Sequence, residues 1–169
     1  MKTFIGIILL LPLLIFGTVR AVNGILFDKD CEGYLKRAAD ANSVVQAKEQ
    51  LKVALDYIEG HGLTKGFTSV LYNTPDEDLE FWYKNIKSAK TELDKVTDET
   101  SSLEKSNVLM KLRETLLDEG KEGNSVTVPT GISIYPNNIV YFWLGLLSFV
   151  IFCGGCVLLF IAFDEQLAV

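Results

Sequence analysis

The sequence predicts a mainly α-helical protein held to a membrane. The expected architecture is a helical bundle or long helical hairpin with a minor β element, a C-terminal transmembrane helix, and an N-terminal block that is either a signal peptide or a second transmembrane helix. Three observations predict it. No charged residue occurs between Glu122 and Asp164, and Ile139 to Phe163 within that gap is almost wholly apolar, long enough to cross a hydrocarbon core as a tilted helix. A second apolar block, Phe4 to Val19, opens the chain. Between them the apolar residues recur at helical spacing among many charges.

Residues 1–22 carry the parts of a secretory signal: Lys2 near the start, an apolar stretch interrupted by Pro12, and small residues around Ala21, after which cleavage would fall. The same residues suit an uncleaved anchor, with Arg20 snorkelling to the outer interface and Val22 to Phe27 extending the helix. Either reading exports residues 28–138.

Residues 23–122 form the expected extracytoplasmic helical domain. Asp28 to Glu122 holds 20 Asp and Glu against 14 Lys and Arg, a net charge of −6. That balance argues against nucleic acid or anionic lipid as a general partner. Tyr34, Leu35, Ala38, Ala41, Val45, Leu51, Leu55 and Ile58 share one stripe, which predicts a single amphipathic helix from Asp30 to Glu59, ended by Gly60-His61-Gly62. Thr68 to Tyr72 is expected to be extended. Thr74-Pro75-Asp76-Glu77 combines a cap, a first-turn proline and a capping-box glutamate, so a helix should begin at Pro75. Its seam is Leu79, Trp82, Tyr83, Ile86, Ala89, Leu93 and Val96. A second box, Ser101 to Glu104, predicts another helix bearing Val108, Leu109, Leu112 and Leu116 and stopping near Gly120.

In residues 123–138 the period changes to two. Val126, Val128, Ile132 and Ile134 alternate with polar residues around Pro129-Thr130-Gly131, reading as a hairpin or extended lead-in, with Thr68 to Tyr72 as a candidate partner strand. The span, 139–163, has Tyr141, Phe142 and Trp143 at its outer end, where aromatic rings favour the interface. Gly145, Ser148, Gly155 and Ala162 mark a candidate helix-packing face, small residues that let another backbone approach. Residues 164–169 are a short tail, placed in the cytoplasm by the usual insertion of the first block.

Candidate chemistry is sparse. His61 is the chain's one histidine and stands in a helix-ending turn. Cys153 and Cys156 share a helix face, but a thiolate is disfavoured in hydrocarbon. Cys31 is the one cysteine outside the apolar runs and a candidate for an interchain disulfide. Asp76, Glu77, Asp78 and Glu80 are expected to complement a helix dipole rather than to hold a cation. Phe81 falls off the predicted seam and is the candidate contact residue of the exported domain. No catalytic, cofactor-binding or metal-binding residues are assigned and no cofactor is expected.

The expected function is therefore a small membrane-anchored interaction protein without catalysis of its own, an accessory or scaffolding subunit of a larger membrane or envelope complex. Its expected partners are the lipid bilayer and either another membrane protein or a second copy of itself. One alternative is a ligand-sensing ectodomain that signals through a partner membrane protein. Another is a thiol-dependent enzyme using Cys31.

Overall fold

A computed structural model describes residues 1–120 and 123–167, and the side chains of 1–118 and 125–165. The fold is mainly helical. Helix α1, Lys2–Phe27, passes through Pro12 without ending and continues through a π-helical turn, Asp28–Glu32, into α2, Gly33–Ala39. These 38 residues form one unbroken helix, about 57 Å long at 1.5 Å per residue. Helix α3 spans Val44–Gly60, α4 Leu79–Asp94, α5 Ser102–Leu116 and α6 Asn138–Leu167. Helices α1 and α6 pack along each other as an apolar hairpin, and α2 to α5 form the bundle at its end.

Four sequence expectations are corrected. The amphipathic stripe from Asp30 to Glu59 is broken: the chain reverses at Asp40 to Ser43, where Ser43 is extended (φ −139°, ψ 148°) and its Oγ accepts the Gln46 N–H at 3.3 Å. Ser43 is an N-cap, a signal the continuous apolar spacing overran, and the reversal lets α2 and α3 bury their stripes against each other. Helix α4 starts not at Pro75 but at Leu79. Pro75–Glu77 is a single 3-10 turn in which the Thr74 hydroxyl bonds the Glu77 side chain, and the cap is Asp78, whose Oδ1 accepts the Glu80 and Phe81 N–H groups at 2.9 and 3.2 Å. Helix α5 begins as expected, with Ser101 accepting the Glu104 N–H at 3.2 Å, but ends at Leu116 rather than Gly120.

The fourth correction concerns the β element. The hairpin pairs β1, Leu117–Gly120, with β2, Gly123–Val126, in antiparallel register Leu117 to Val126. Pro129-Thr130-Gly131 is not its turn. Gly131 sits at φ 77° and opens a 3-10 turn, Ile132–Ile134, which buries both isoleucines without strand pairing. Thr68 to Tyr72 does not pair with this segment as a strand; the nearest equivalent is one bridge between Phe67 and Asp78. The expected domain boundary after Glu122 falls outside the described residues.

The bundle core joins Leu35, Ala38, Leu51, Ile58, Leu79, Ile86, Leu93, Leu112 and Leu116, with Phe27 of α1 reaching into it. Each fully buried Leu or Ile contributes about 1.5–3 kcal/mol over its exposed state. Trp82 is buried at 7% exposure, its Nε1 donating to the Thr127 carbonyl at 2.7 Å, which ties α4 to the segment leading into α6.

Candidate functional site

The small-residue face of α6 is occupied by the chain's own α1. Ser148 and Ala162 are buried. A Cβ built on Gly155 would stand 3.0 Å from the Gly6 carbonyl oxygen and 3.0 Å from Leu9 Cβ, and one on Gly145 would stand 2.8 Å from Phe16 Cζ. Glycine at these positions is what lets the two backbones approach. Asn23 Nδ2 donates to the Tyr141 hydroxyl at 3.2 Å near the bundle end, and Lys2 pairs with Glu165 at the other. The sequence reading assigned one side of this seam and missed the other. Gly6 lies in the block that also read as a signal and Asn23 just after it, so their small or polar side chains were not matched to a partner helix.

Where the hairpin enters the bundle, the π-helical turn carries Cys31 and Glu32. Cys31 is fully buried and its thiol is pushed up to about 12, first by burial and then by the neighbouring Glu32 carboxylate. Burial and a raised thiol both oppose disulfide exchange and nucleophilic attack at neutral pH, the two roles for which the sequence singled out Cys31. Burial, a hydrogen bond to the Asp28 side chain and the Asp28 charge raise the Glu32 carboxyl to about 7, with Lys36 acting in the opposite direction. The i,i+4 spacing of Asp28 and Glu32 was visible in the sequence, but the turn that draws them together was not.

On the bundle surface, Phe81 is 62% exposed, while its neighbours Trp82 and Tyr83 are engaged. The Tyr83 hydroxyl donates to Glu59 Oε1 at 2.7 Å, and Lys87 Nζ reaches the same oxygen at 2.7 Å, joining α3 to α4. The hydrogen bonds from Lys87 and Tyr83 hold the Glu59 carboxyl below its ordinary value. His61 Nδ1 lies 2.9 Å from the Tyr57 carbonyl, and its ring stacks on Tyr57 at 3.9 Å, so it serves the end of α3. Of the acidic cluster, Asp78 caps α4 and Glu80 pairs with Lys84 at 2.5 Å. Among the described residues no group of three or more His, Cys, Asp or Glu side chains is placed to hold a metal ion.

An open groove of about 610 Å³ lies at the end of the bundle remote from the hairpin, between the start of α3 and the α4–α5 connection. Val45, 66% exposed, stands on its wall with Val96 and Leu109. Two lysines flank it, with Lys48 Nζ bonding the Val96 carbonyl at 3.3 Å and Lys105 Nζ the Asp98 carbonyl at 3.1 Å. These bonds use the lysines to close the carboxyl end of α4. The arrangement offers apolar contact beside two lysines and Asp98. The chain matches no family model, no curated protein and no solved structure.

Proposed function

We propose that the protein is a membrane-anchored interaction subunit, without catalysis of its own, whose bundle meets a second membrane protein outside the cytoplasm. The membrane part rests on what α1 and α6 leave uncovered. Phe4, Leu14, Ile15 and Ile25 on α1, and Trp143, Val150, Phe160 and Phe163 on α6, are each at least 60% exposed, an apolar surface suited to lipid rather than water. Two such helices, antiparallel and joined through the bundle, put Lys2 and Glu165 on one side of the bilayer and residues 28–138 on the other. With the usual insertion of the first block, that other side is extracytoplasmic. In this reading α1 is a retained span, because the small-residue face of α6 otherwise loses the helix packed on it.

The observation that carries the interaction reading is the filled core. Cys31, Leu35, Ala38, Leu51, Ile58, Leu79 and Leu93 have no exposed surface, so the bundle offers partners its outside, and the spans have spent their close-packing face on each other. Contact with a partner then falls to the bundle, at Phe81 and the groove beside Val45. Placing a photocrosslinking amino acid at Phe81 and, separately, at Val45 in intact membranes tests this. A protein adduct identified by mass spectrometry at either position is the expected result. Adducts to lipid alone at both positions, with a monomeric particle after mild detergent extraction, would refute it.

A sensing role has one specific observation in its favour, the unbroken helix from Lys2 to Ala39. A ligand that shifted α2 would move α1 with it, since no loop lies between them to absorb the displacement.

A further inference from the structure

Among the described residues three buried side-chain oxygens have no hydrogen-bond partner, those of Gln50, Thr68 and Asn138, and two of these residues, Thr68 and Asn138, line one pocket. This pocket, about 290 Å³, lies where the loop before α4, the segment before α6 and the α1–α6 hairpin meet. Thr68 and Asn138 line it at 3% and 7% exposure, and neither Thr68 Oγ1 nor Asn138 Oδ1 has a hydrogen-bond partner. Leaving a buried polar atom unpaired costs about 1–3 kcal/mol, so such a pair calls for a ligand or solvent molecule.

The direction of the Asn138 amide is fixed. Its Nδ2 donates to the Thr68 carbonyl at 2.9 Å and the Gly131 carbonyl at 3.0 Å, which leaves Oδ1 able only to accept. Whatever fills the position must bring an N–H or O–H. Arg20 of α1 lines the same pocket, as does Glu77. Asn138 is also the first residue of α6, so the unpaired N–H groups of a 30-residue helix add to the positive potential of Arg20. The pocket thus offers sites for an anion and for a hydrogen-bond donor bearing positive charge. Its lip is apolar: Leu71 and Tyr72 are 68% and 70% exposed, and Phe142 leads from the pocket down the outside of α6.

We propose that this pocket binds the head group of one phospholipid of the ethanolamine type. Its phosphate faces Arg20 and the start of α6, its ammonium group donates to Asn138 Oδ1 and approaches Glu77, and its acyl chains run beside Phe142. A choline head group lacks the N–H that Asn138 requires and is excluded by the same geometry. Arg20, which a sequence reading treats as an interfacial anchor, becomes a ligand-binding residue. The assignment rests on the reading of α1 and α6 as spans, and the test separates the two.

The full chain is reconstituted into nanodiscs holding phosphatidylethanolamine and phosphatidylcholine in equal amounts, then released and weighed by native mass spectrometry. The expected result is one retained phosphatidylethanolamine per chain, with retention falling about tenfold in Arg20→Gln, the loss of one charge-assisted hydrogen bond. Arg20 is exposed, so this variant keeps the fold, and Glu77→Gln, which removes the charge facing the ammonium group, provides a second loss. Equal retention of the two lipids, wild-type retention by Arg20→Gln, or no retained lipid, the outcome if a water bridges the two oxygens, would each overturn the proposal. Equally tight binding of soluble glycerophosphoethanolamine by detergent-solubilised protein would assign the pocket to a free phosphoester instead. Carbonate extraction of the same membranes tests the spans: a chain stripped by carbonate removes the membrane reading, whereas one that resists and retains no lipid removes the pocket alone.

Discussion

Replacing Gly155 by isoleucine should open the α1–α6 seam, and the neighbouring Gly154→Ile should not. A Cβ at position 155 meets the Gly6 carbonyl oxygen at 3.0 Å, Leu9 Cβ at 3.0 Å and Leu10 Cδ2 at 3.3 Å; at Gly154 nothing lies within 4 Å. The first two neighbours are backbone and a Cβ, which no rotamer change can withdraw, so the helices themselves must separate by about 0.5–1 Å to restore ordinary contact. The remaining isoleucine carbons demand more. Overpacking of this kind costs about 1–3 kcal/mol, roughly a 5- to 150-fold shift toward the separated arrangement. The ion pair of Lys2 with Glu165 provides the assay. Carbodiimide treatment of intact membranes should convert it to an amide, detectable as a crosslinked peptide joining the two ends of the chain. The crosslink should form readily in the wild type and in Gly154→Ile, and fall several-fold in Gly155→Ile. Equal yields in the two variants would refute the seam. A wild-type chain lacking residues 1–21 would refute the retained first span.

Other outcomes follow from the bundle. Glu32 has a folded-state value of about 7 against an ordinary 4.5, so its contribution to stability is fully present below pH 4.5 and is lost as pH rises through 7. Allowing for the water that reaches it, that loss is about 2 kcal/mol; Glu32→Gln should flatten the change in thermal stability between pH 5 and pH 8, and an unaltered slope would count against the raised carboxyl. Cys31, with its thiol near 12 and no exposure, should resist a water-soluble maleimide in native membranes and react once the bundle is denatured; rapid native labelling would show that the core opens there. Ile58→Ala, in the filled core, should cost about 2–5 kcal/mol by thermal or chemical unfolding. Phe81→Ala should stay within about 0.5 kcal/mol while reducing partner capture, and comparable unfolding losses in both variants would place Phe81 inside the core.

Much of the helical content was legible because helix periodicity is a local property. The seams of α4 and α5 were read from apolar spacing, and the Ser101 cap from a four-residue pattern. The misreadings share a cause. The stripe through Asp40 to Ser43 continues in sequence while the chain reverses in space, since two halves of one apolar face can bury each other only by folding back. At Thr74 to Asp78 two overlapping caps competed, and Asp78 took the α-helix because Gly66 and Thr68 draw the preceding residues into backbone pairing, with Leu79 N–H donating to the Gly66 carbonyl at 3.0 Å and Thr68 N–H to the Glu77 carbonyl at 3.1 Å. That pairing joins residues more than eight positions apart, beyond what a local pattern encodes.

The candidate sites divide in the same way. Phe81 and the small-residue face of α6 could be named from spacing alone, because exposure off a seam and small size on a stripe are written in consecutive residues. The occupant of that face could not, and neither could the meeting of Arg20, Thr68 and Asn138, which come from three separated segments. By itself the sequence determined the two apolar helices, the charged helical segment between them and the sparseness of reactive side chains, since transfer from water and helix periodicity depend on composition and near neighbours. Only the tertiary structure decided that α1 fills the small-residue face of α6, that Cys31 is sealed in the core, and that two polar oxygens lie unpaired beside Arg20. Those outcomes depend on which distant surfaces close over one another, and burial and pairing exist only once they have done so.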